Sequence, residues 1–470
     1  MEAESIWLNP IVELPLGVAV LVLVTILVLS FYSVRTAILM LVVTVPLQRF
    51  IVIPGILGNR FTPHEAAFLC CLAAVVVRWR SRVRLTIPWT EPIAIPLLLL
   101  LVVGVASLLG NPFIEVGISE LVILGYLYLL MHLISNLAAD EQLAFVVYRS
   151  WYVTCAGFCI LAMAGGLLQS AGVETILMSG PRLIVTFFNP NQAGSFIIAS
   201  IFLFLARATR SGVPLVRRII HLGLVFCAVG GAYFMQSRAT VLGGLAGLGV
   251  FVVLRRARVS AIASMVALLL VASFALSVFQ ESSEDDARIY DARYSEGVDP
   301  DSNSAQVRIE NWRTGIEAFS RSPLIGIGIG TLWLQAPLTS GESYQVHNTY
   351  LSFLAETGGV GFALLLIVII IIVRECIKGI QLARGTPFED PLIALIPALA
   401  ALGVFNIFHY GVRARHMWVT IGLVFVFRRL AGERAQTERD AVRAPDEPPG
   451  TPSPIPPRVP GVAGRRPTIV

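Results

Sequence analysis

Residues 345–350 read QVHNTY, a histidine and an asparagine at the mouth of an apolar run that extends to Val373. A histidine with its ordinary pKa of about 6.5 is largely neutral at neutral pH, so His347 is able to accept a proton. A helix start at this point would favour the neutral form further, and the Asn348 amide beside it suits the orienting of a hydroxyl. Three arginines stand in comparable places: Arg182 in GPRLIVTFFNPN (180–191), Arg238 in FMQSRATVL (234–242) and Arg308 in SAQVRIENWRTGIEAFSRSPL (304–324). Arginine stays charged and grips phosphate with a two-pronged donor fork. Gathered around His347, these cations would suit a diphosphate at a membrane surface with a base beside it. Singly, each arginine also reads as a headgroup anchor. Glu356, nine residues beyond His347, falls inside the same apolar run. An acid there is a functional hypothesis, or else a hydrogen-bond partner for a neighbouring helix. His64, His132, His221, His409 and His416 lie at span ends or within spans without such company, and read as structural.

Such a site needs elements that bring distant segments together. The chain has 470 residues, 56% hydrophobic and 14% charged, with a mean hydropathy of +0.77. A soluble domain is about 25% charged, so lipid must be the solvent for much of this surface. Apolar runs lie near 14–32, 36–54, 61–78, 92–109, 115–135, 144–168, 184–206, 219–235, 239–254, 260–279, 351–373, 391–410 and 415–428. The expected fold is an all-α polytopic integral membrane protein of about 12 (11–13) transmembrane helices. The first run follows Glu2 and Glu4 with no basic stretch ahead of it, and reads as a retained span. Five basic segments, 78–84, 207–218, 255–258, 374–384 and 428–439, all fall on one side of this topology. The positive-inside rule makes that side the cytoplasm and leaves 170–183, Arg238 and 280–346 outside. The N-terminus is outside if every run spans, and inside if one early run does not.

Four regions follow: N-terminal transmembrane helices at 1–279, an extracytoplasmic loop at 280–346, C-terminal transmembrane helices at 347–429, and a Pro-rich tail at 430–470 expected to be disordered in the cytoplasm. A loop as long as 280–346 suggests function. Its acidic first part reads as solvated. A surface helix is predicted from about residue 305 to 321, capped by Ser304 and stopped before Pro323. The 3.6-residue period puts Arg308, Trp312, Gly315, Ile316 and Phe319 on a buried face, and Glu310, Arg313, Glu317 and Arg321 on a solvated one. GIGIGT (326–331) lacks the spacing of a nucleotide loop and reads as a close-packed extended segment. The net charge of +5 is spread over short loops, with no basic face for nucleic acid. The six cysteines lie in or beside apolar runs without metal-ligand spacing, as small apolar residues would. No metal or cofactor is expected.

The order SRA (237–239), RIENWRTGIEAFSRSPLIGIGIGT (308–331) and HNTYLSFLAETGGVG (347–361) resembles the O-antigen ligase and O-antigen polymerase superfamily of bacterial membrane glycosyltransferases. PRLIVTFFNPNQAG (181–194) is similar to that family's arginine-then-Pro-Asn element more loosely. The resemblance implies a GT-C-like fold and metal-independent, inverting transfer of a glycan from an undecaprenyl-diphosphate carrier in lipopolysaccharide or exopolysaccharide assembly. It implies an inner-membrane enzyme with its active site facing the periplasm. The acceptor would be lipid A–core for a ligase or a second lipid-linked glycan for a polymerase. His347, Arg238 and Arg308 match the family's catalytic positions. Arg182, Asn191, Asn348 and Trp312 are substrate-binding candidates. A protein O-oligosaccharyltransferase of the same superfamily would share this pattern. A transporter or flippase of lipid-linked glycans is the reading from another class. It predicts charges near mid-membrane and broken helices in related halves.

Overall fold

In lipid a chain must satisfy its backbone hydrogen bonds internally, and the apolar runs do so as helices. A computed structural model of the protein describes residues 12–52, 61–78, 91–138, 140–173, 175–179, 182–255, 265–267, 269, 271, 304–335 and 346–443. The run at 260–279, the acidic part of the outer loop and the tail beyond 443 lie largely or wholly outside the described residues. The elements in order are β1 (Val12–Glu13), α1 (Leu16–Tyr32), α2 (Val34–Val43), β2 (Phe50–Ile51), α3 (Pro63–Arg78), α4 (Ala94–Ser107), α5 (Ile114–Leu137) and α6 (Glu141–Ser170). Then come β3 (Met178–Ser179), β4 (Arg182–Leu183), α7 (Pro190–Ala208), α8 (Leu215–Met235) and α9 (Arg238–Arg255). The outer loop contributes α10 (Ser304–Arg321) and α11 (Leu332–Gln335), and α12 (Thr349–Ala383), α13 (Glu389–Phe405) and α14 (Arg415–Arg443) complete the chain. β1 pairs with β2 in parallel, Val12 opposite Phe50, and β3 with β4 antiparallel, Met178 opposite Leu183.

Among the described residues, α5, α6, α7, α8, α9 and α12 are long and apolar enough to cross a membrane. α1 to α4 are apolar but shorter, at 10–17 residues. The result is an all-α multi-pass membrane protein, with six helices meeting the length and composition of a span where about twelve are expected from sequence. α12 is apolar all round yet only 28% buried over its most apolar stretch, as a lipid-facing helix should be. α7 is 83% buried over the same measure and is the central helix, packed by α6, α8, α9 and α13.

Several boundaries differ from the sequence expectation. α12 and α14 run on to Ala383 and Arg443, past the expected ends at 373 and 428, so α14 takes up the first residues of the expected tail. The run at 36–54 is helical only as α2, because Pro46 ends it and the chain turns: Gln48 and Arg49 donate their amides to Thr186 O at 3.1 and 2.9 Å. α7 begins at Pro190 rather than near 184. Asn189 caps it by accepting from Gln192 N at 2.8 Å, and Pro190 takes the first helical position. The Asn-Pro pair is therefore a start signal, not an interruption.

The helices alternate in direction, and each end of the bundle has its own chemistry. At one end Asp390 pairs with Arg210 at 2.9 Å and Arg255 at 2.7 Å, and Glu375 with Arg428 at 2.7 Å, so several of the basic segments meet there. The opposite end gathers the starts of α3, α7, α9, α12 and α14. Arg415 pairs with Glu65, and His416 Nε2 lies 3.1 Å from Ser195 Oγ. The chain divides into residues 1–432 and 433–470. Within the second unit Arg434 pairs with Glu438 at 3.1 Å, one turn apart on the same helix.

Candidate active site

The first half of the site is the turn between α8 and α9. α8 closes at Gln236 in left-handed backbone, φ 48°. Ser237 is buried, and its carbonyl accepts from Thr240 and Val241 at 3.0 and 3.3 Å, which starts α9 with Arg238 as its first residue. Arg182 holds this turn. Its Nε donates to Met235 O at 3.0 Å, and its Nη2 to Met235 O and Gln236 O at 2.9 and 3.0 Å. The same nitrogen reaches Asn191 Oδ1 at 3.5 Å. The last carbonyls of a helix lack internal partners and attract a cation. Arg182 is thus a clamp on the turn that presents Arg238, and it ties that turn to the second residue of α7.

The second half is the start of α12. Asn348 is its N-cap and accepts from Leu351 N at 3.0 Å, so this amide oxygen serves the helix. His347, half-buried, precedes the cap with φ 46°. Its ring lies parallel to that of His409, centroids 5.6 Å apart and planes 10° apart. His409 belongs to the segment after α13, which is latched onto Thr349. Thr349 N donates to Asn406 O at 2.9 Å, its hydroxyl donates to His409 O at 2.9 Å, and Gly411 N donates to that hydroxyl at 2.9 Å. The sequence reads His409 as structural. Its only signal was a polar FHYGVRAR stretch (408–415) closing an apolar run.

The two halves meet through α9 and α13. A side chain at Gly243, five residues into α9, would touch Ala401 O and the Phe405 Cβ. Phe405 in turn stands edge-on to His409 at 5.3 Å. Arg238, Asn191 and Arg182 therefore share an end of the bundle with His347 and Asn348. Among the described residues the non-glycine positions of left-handed backbone are Val185, Gln236 and His347, and each lies in a segment of this end. Strain of this kind persists where surrounding structure enforces it, and it concentrates at functional sites.

α10 lies against α12. Trp312 packs beside Ala318, Leu332, Val346 and Ala355, and Gly315 fits against Leu351. Glu310, Arg313, Glu317 and Arg321 face solvent as expected. Ile316 does not follow the expected pattern. It is 59% exposed, while Asn311 and Ala318 are buried, because the contact face runs through 311, 315 and 318 at spacings of four and three. Arg308 sits on the α10 backbone, but its side chain lies outside the described residues.

The glycine segment after α10 plugs a break in α12. Gly358 leaves helical geometry at φ 66°. Ile327 N and Gly328 N donate to Ala355 O and Glu356 O at 3.0 Å each, and Gly359 N donates to Pro323 O at 2.8 Å. The Glu356 carboxylate accepts from Leu332 N at 3.2 Å, so this buried acid caps the short α11. The turn after α4 grips the same segment, Asn111 Nδ2 donating to Ile327 O at 2.6 Å and Ser107 Oγ accepting from Ile329 N at 3.1 Å. Beside it Glu120 of α5 is held by Arg413, whose Nε donates at 3.0 Å, and by the Tyr410 hydroxyl at 2.8 Å. Burial, with Glu120 beside it, pushes the Tyr410 phenol well up, so it stays a donor. Burial alone would lower the Arg413 pKa, but Glu120 and Tyr410 outweigh it and raise it.

An apolar cavity of about 470 Å³ runs along α12, between it and α4, α5, α9, α13 and α14. Leu100, Phe353, Val368, Ile396 and Trp418 are among its lining. It touches Thr349 and Asn406 at the end that carries His347, and Ile380 toward the other.

Residues 222–366 match the family model described as O-Antigen ligase. The chain is also similar to the teichuronic acid biosynthesis protein TuaE of Bacillus subtilis (strain 168), 26% identical over 156 residues. That match covers 32% of this chain and 31% of the relative, so the chain spans about a third of the length of the curated relative it matches. The family match runs from α8 into α12 and encloses Arg238, Arg308 and His347.

Proposed function

We propose, from the premise that residues 222–366 carry an O-antigen ligase domain, that the protein is a glycosyltransferase of surface-polysaccharide assembly. It moves a glycan from an undecaprenyl-diphosphate carrier onto an acceptor hydroxyl at the periplasmic face of the bacterial inner membrane. One observation carries this reading: the matched domain encloses Arg238, Arg308 and His347, and Arg238 and His347 stand at helix starts on one end of the bundle, joined through α13. His347 takes the proton of the acceptor hydroxyl as its oxygen attacks the anomeric carbon. The bond from that carbon to the diphosphate breaks, and the electron pair leaves with the diphosphate. Arg238 and Arg308 stabilise the charge that builds there. Attack opposite to the leaving group inverts the anomeric centre, and no metal takes part. The cavity beside α12 supports the reading, since it offers an apolar path for a polyprenyl chain whose headgroup lies at the His347 end.

The acceptor is lipid A–core in the ligase reading. The likeness to a teichuronic acid biosynthesis protein favours a second reading, polymerisation of a surface glycan with a lipid-linked acceptor. Deleting the gene and running the host's lipopolysaccharide on a gel separates the two. Core without repeats, with carrier-linked polymer accumulating, means ligase. Core bearing a single repeat means O-antigen polymerase, and an unchanged pattern moves the acceptor to another glycan or to protein. His347→Ala is expected to lower turnover by about two to four orders of magnitude with normal membrane insertion. Near-normal turnover in that variant sinks the base assignment.

A further inference from the structure

His347 belongs to the segment that leads into α12. It lies outside α12, ahead of the Asn348 cap, in left-handed backbone with φ 46°. The ring lies parallel to one specific neighbour, His409, at 5.6 Å and 10°. Parallel rings at that separation are offset, which is a preferred aromatic arrangement. His409 is itself well fixed. It is 7% exposed and is braced edge-on by Phe405 at 5.3 Å. Its backbone carbonyl accepts from the Thr349 hydroxyl at 2.9 Å, and Asn406 and Gly411 complete the latch at 2.9 Å each. The latch is made by backbone atoms of this segment, so it survives a change of the His409 side chain. The latch sets the height of His409 relative to the first residue of α12, two positions after His347.

We propose that His409 is a positioning residue for His347: its buried ring is the platform that fixes the orientation of the His347 imidazole toward the acceptor hydroxyl. The inference rests on the reading of His347 as the base. A platform acts through its plane and not through its nitrogens. A flat apolar ring should therefore replace it, and a small side chain should not. Rotation of a catalytic group by about 1 Å at its reacting atom costs about 100-fold in rate.

The test compares His347→Ala, His409→Ala and His409→Phe in the full-length protein, purified in detergent and given a lipid-linked glycan donor and acceptor. His409→Ala is expected to lose about 10- to 100-fold in kcat with the donor KM little changed. His409→Phe should recover most of that loss. A signal apart from activity accompanies it. With histidines isotope-labelled, the His347 ring protons should shift when His409 becomes alanine and stay near their place when it becomes phenylalanine. Wild-type kcat in His409→Ala, or a phenylalanine variant as slow as the alanine one, overturns the platform while leaving the base reading intact. Normal turnover in His347→Ala overturns both.

Discussion

At the scale of the residue, the arginines of this end have different work. Arg182 and Arg238 look alike in sequence, each beside a span and each against the positive-inside rule. Three hydrogen bonds from Arg182 to the Met235 and Gln236 carbonyls give it a partner inside the protein. Its job is to hold the turn, and Arg238 is what the turn presents. Arg238→Lys keeps the charge and loses the fork. It is expected to lower turnover at least about tenfold without changing the melting point, and full activity would argue against two-pronged phosphate binding. Arg182→Ala should do the opposite first. Losing charged hydrogen bonds to helix carbonyls costs about 1.5–3 kcal/mol, read as a lower thermal midpoint in detergent. Unchanged stability in that variant would return Arg182 to the list of substrate ligands.

At the scale of the element, α12 is two helices joined by a break, and the break is filled from outside. Gly326 and Gly358 meet backbone to backbone there. A Cβ on Gly326 would come within 2.2 Å of Glu356 C, and one on Gly358 within 2.3 Å of Leu324 C, both at positive φ. Gly326→Ala is therefore expected to destabilise the protein by more than the about 1–3 kcal/mol of left-handed strain alone. Gly172→Ala is the control, since its φ is also positive, 77°, but nothing lies within 4 Å. Equal losses in the two variants would show that the close approach at the break does not matter. The glycine spacing in GIGIGT was legible as close packing. The partner, a helix that opens at Gly358 to receive it, was not, since glycines at 358, 359 and 361 fit a closely packed helix as well as a broken one.

At the scale of the whole molecule, one end of the bundle is tied by Asp390 and Glu375 to arginines, and the other by Glu120 and Glu65. Glu120 is the tie that matters for the site, because Arg413 and Tyr410, its partners, follow His409 in the same segment. Glu120→Ala leaves that segment with an unpaired cation and phenol. Arg413 keeps 37% of its side chain exposed, so the cost should stay below the about 3–5 kcal/mol of a fully enclosed pair. The expected result is a lower thermal midpoint together with slower turnover. Lost stability with wild-type turnover would mean that the 406–414 segment does not position the site.

Composition and the length of the apolar runs together pointed to a helical membrane protein, because no water-soluble core has room for so much apolar surface and each run is long enough for a helix. Arginine placement marked segments expected to share an end, since charge must stay near water whatever the packing, and Arg210, Arg255 and Arg428 do meet the acids Asp390 and Glu375. The SRA, loop and HNTY elements marked Arg238, Arg308 and His347 by their order along the chain. Only the tertiary structure decided that Arg182 clamps a turn, that Asn348 caps a helix, and that His409 lies against His347. Those roles depend on partners tens to hundreds of residues away, and the partner is set by how α9, α12 and α13 pack. Periodicity says which face of a helix is apolar, but not which neighbour covers it, and α10 shows the difference in its exposed Ile316.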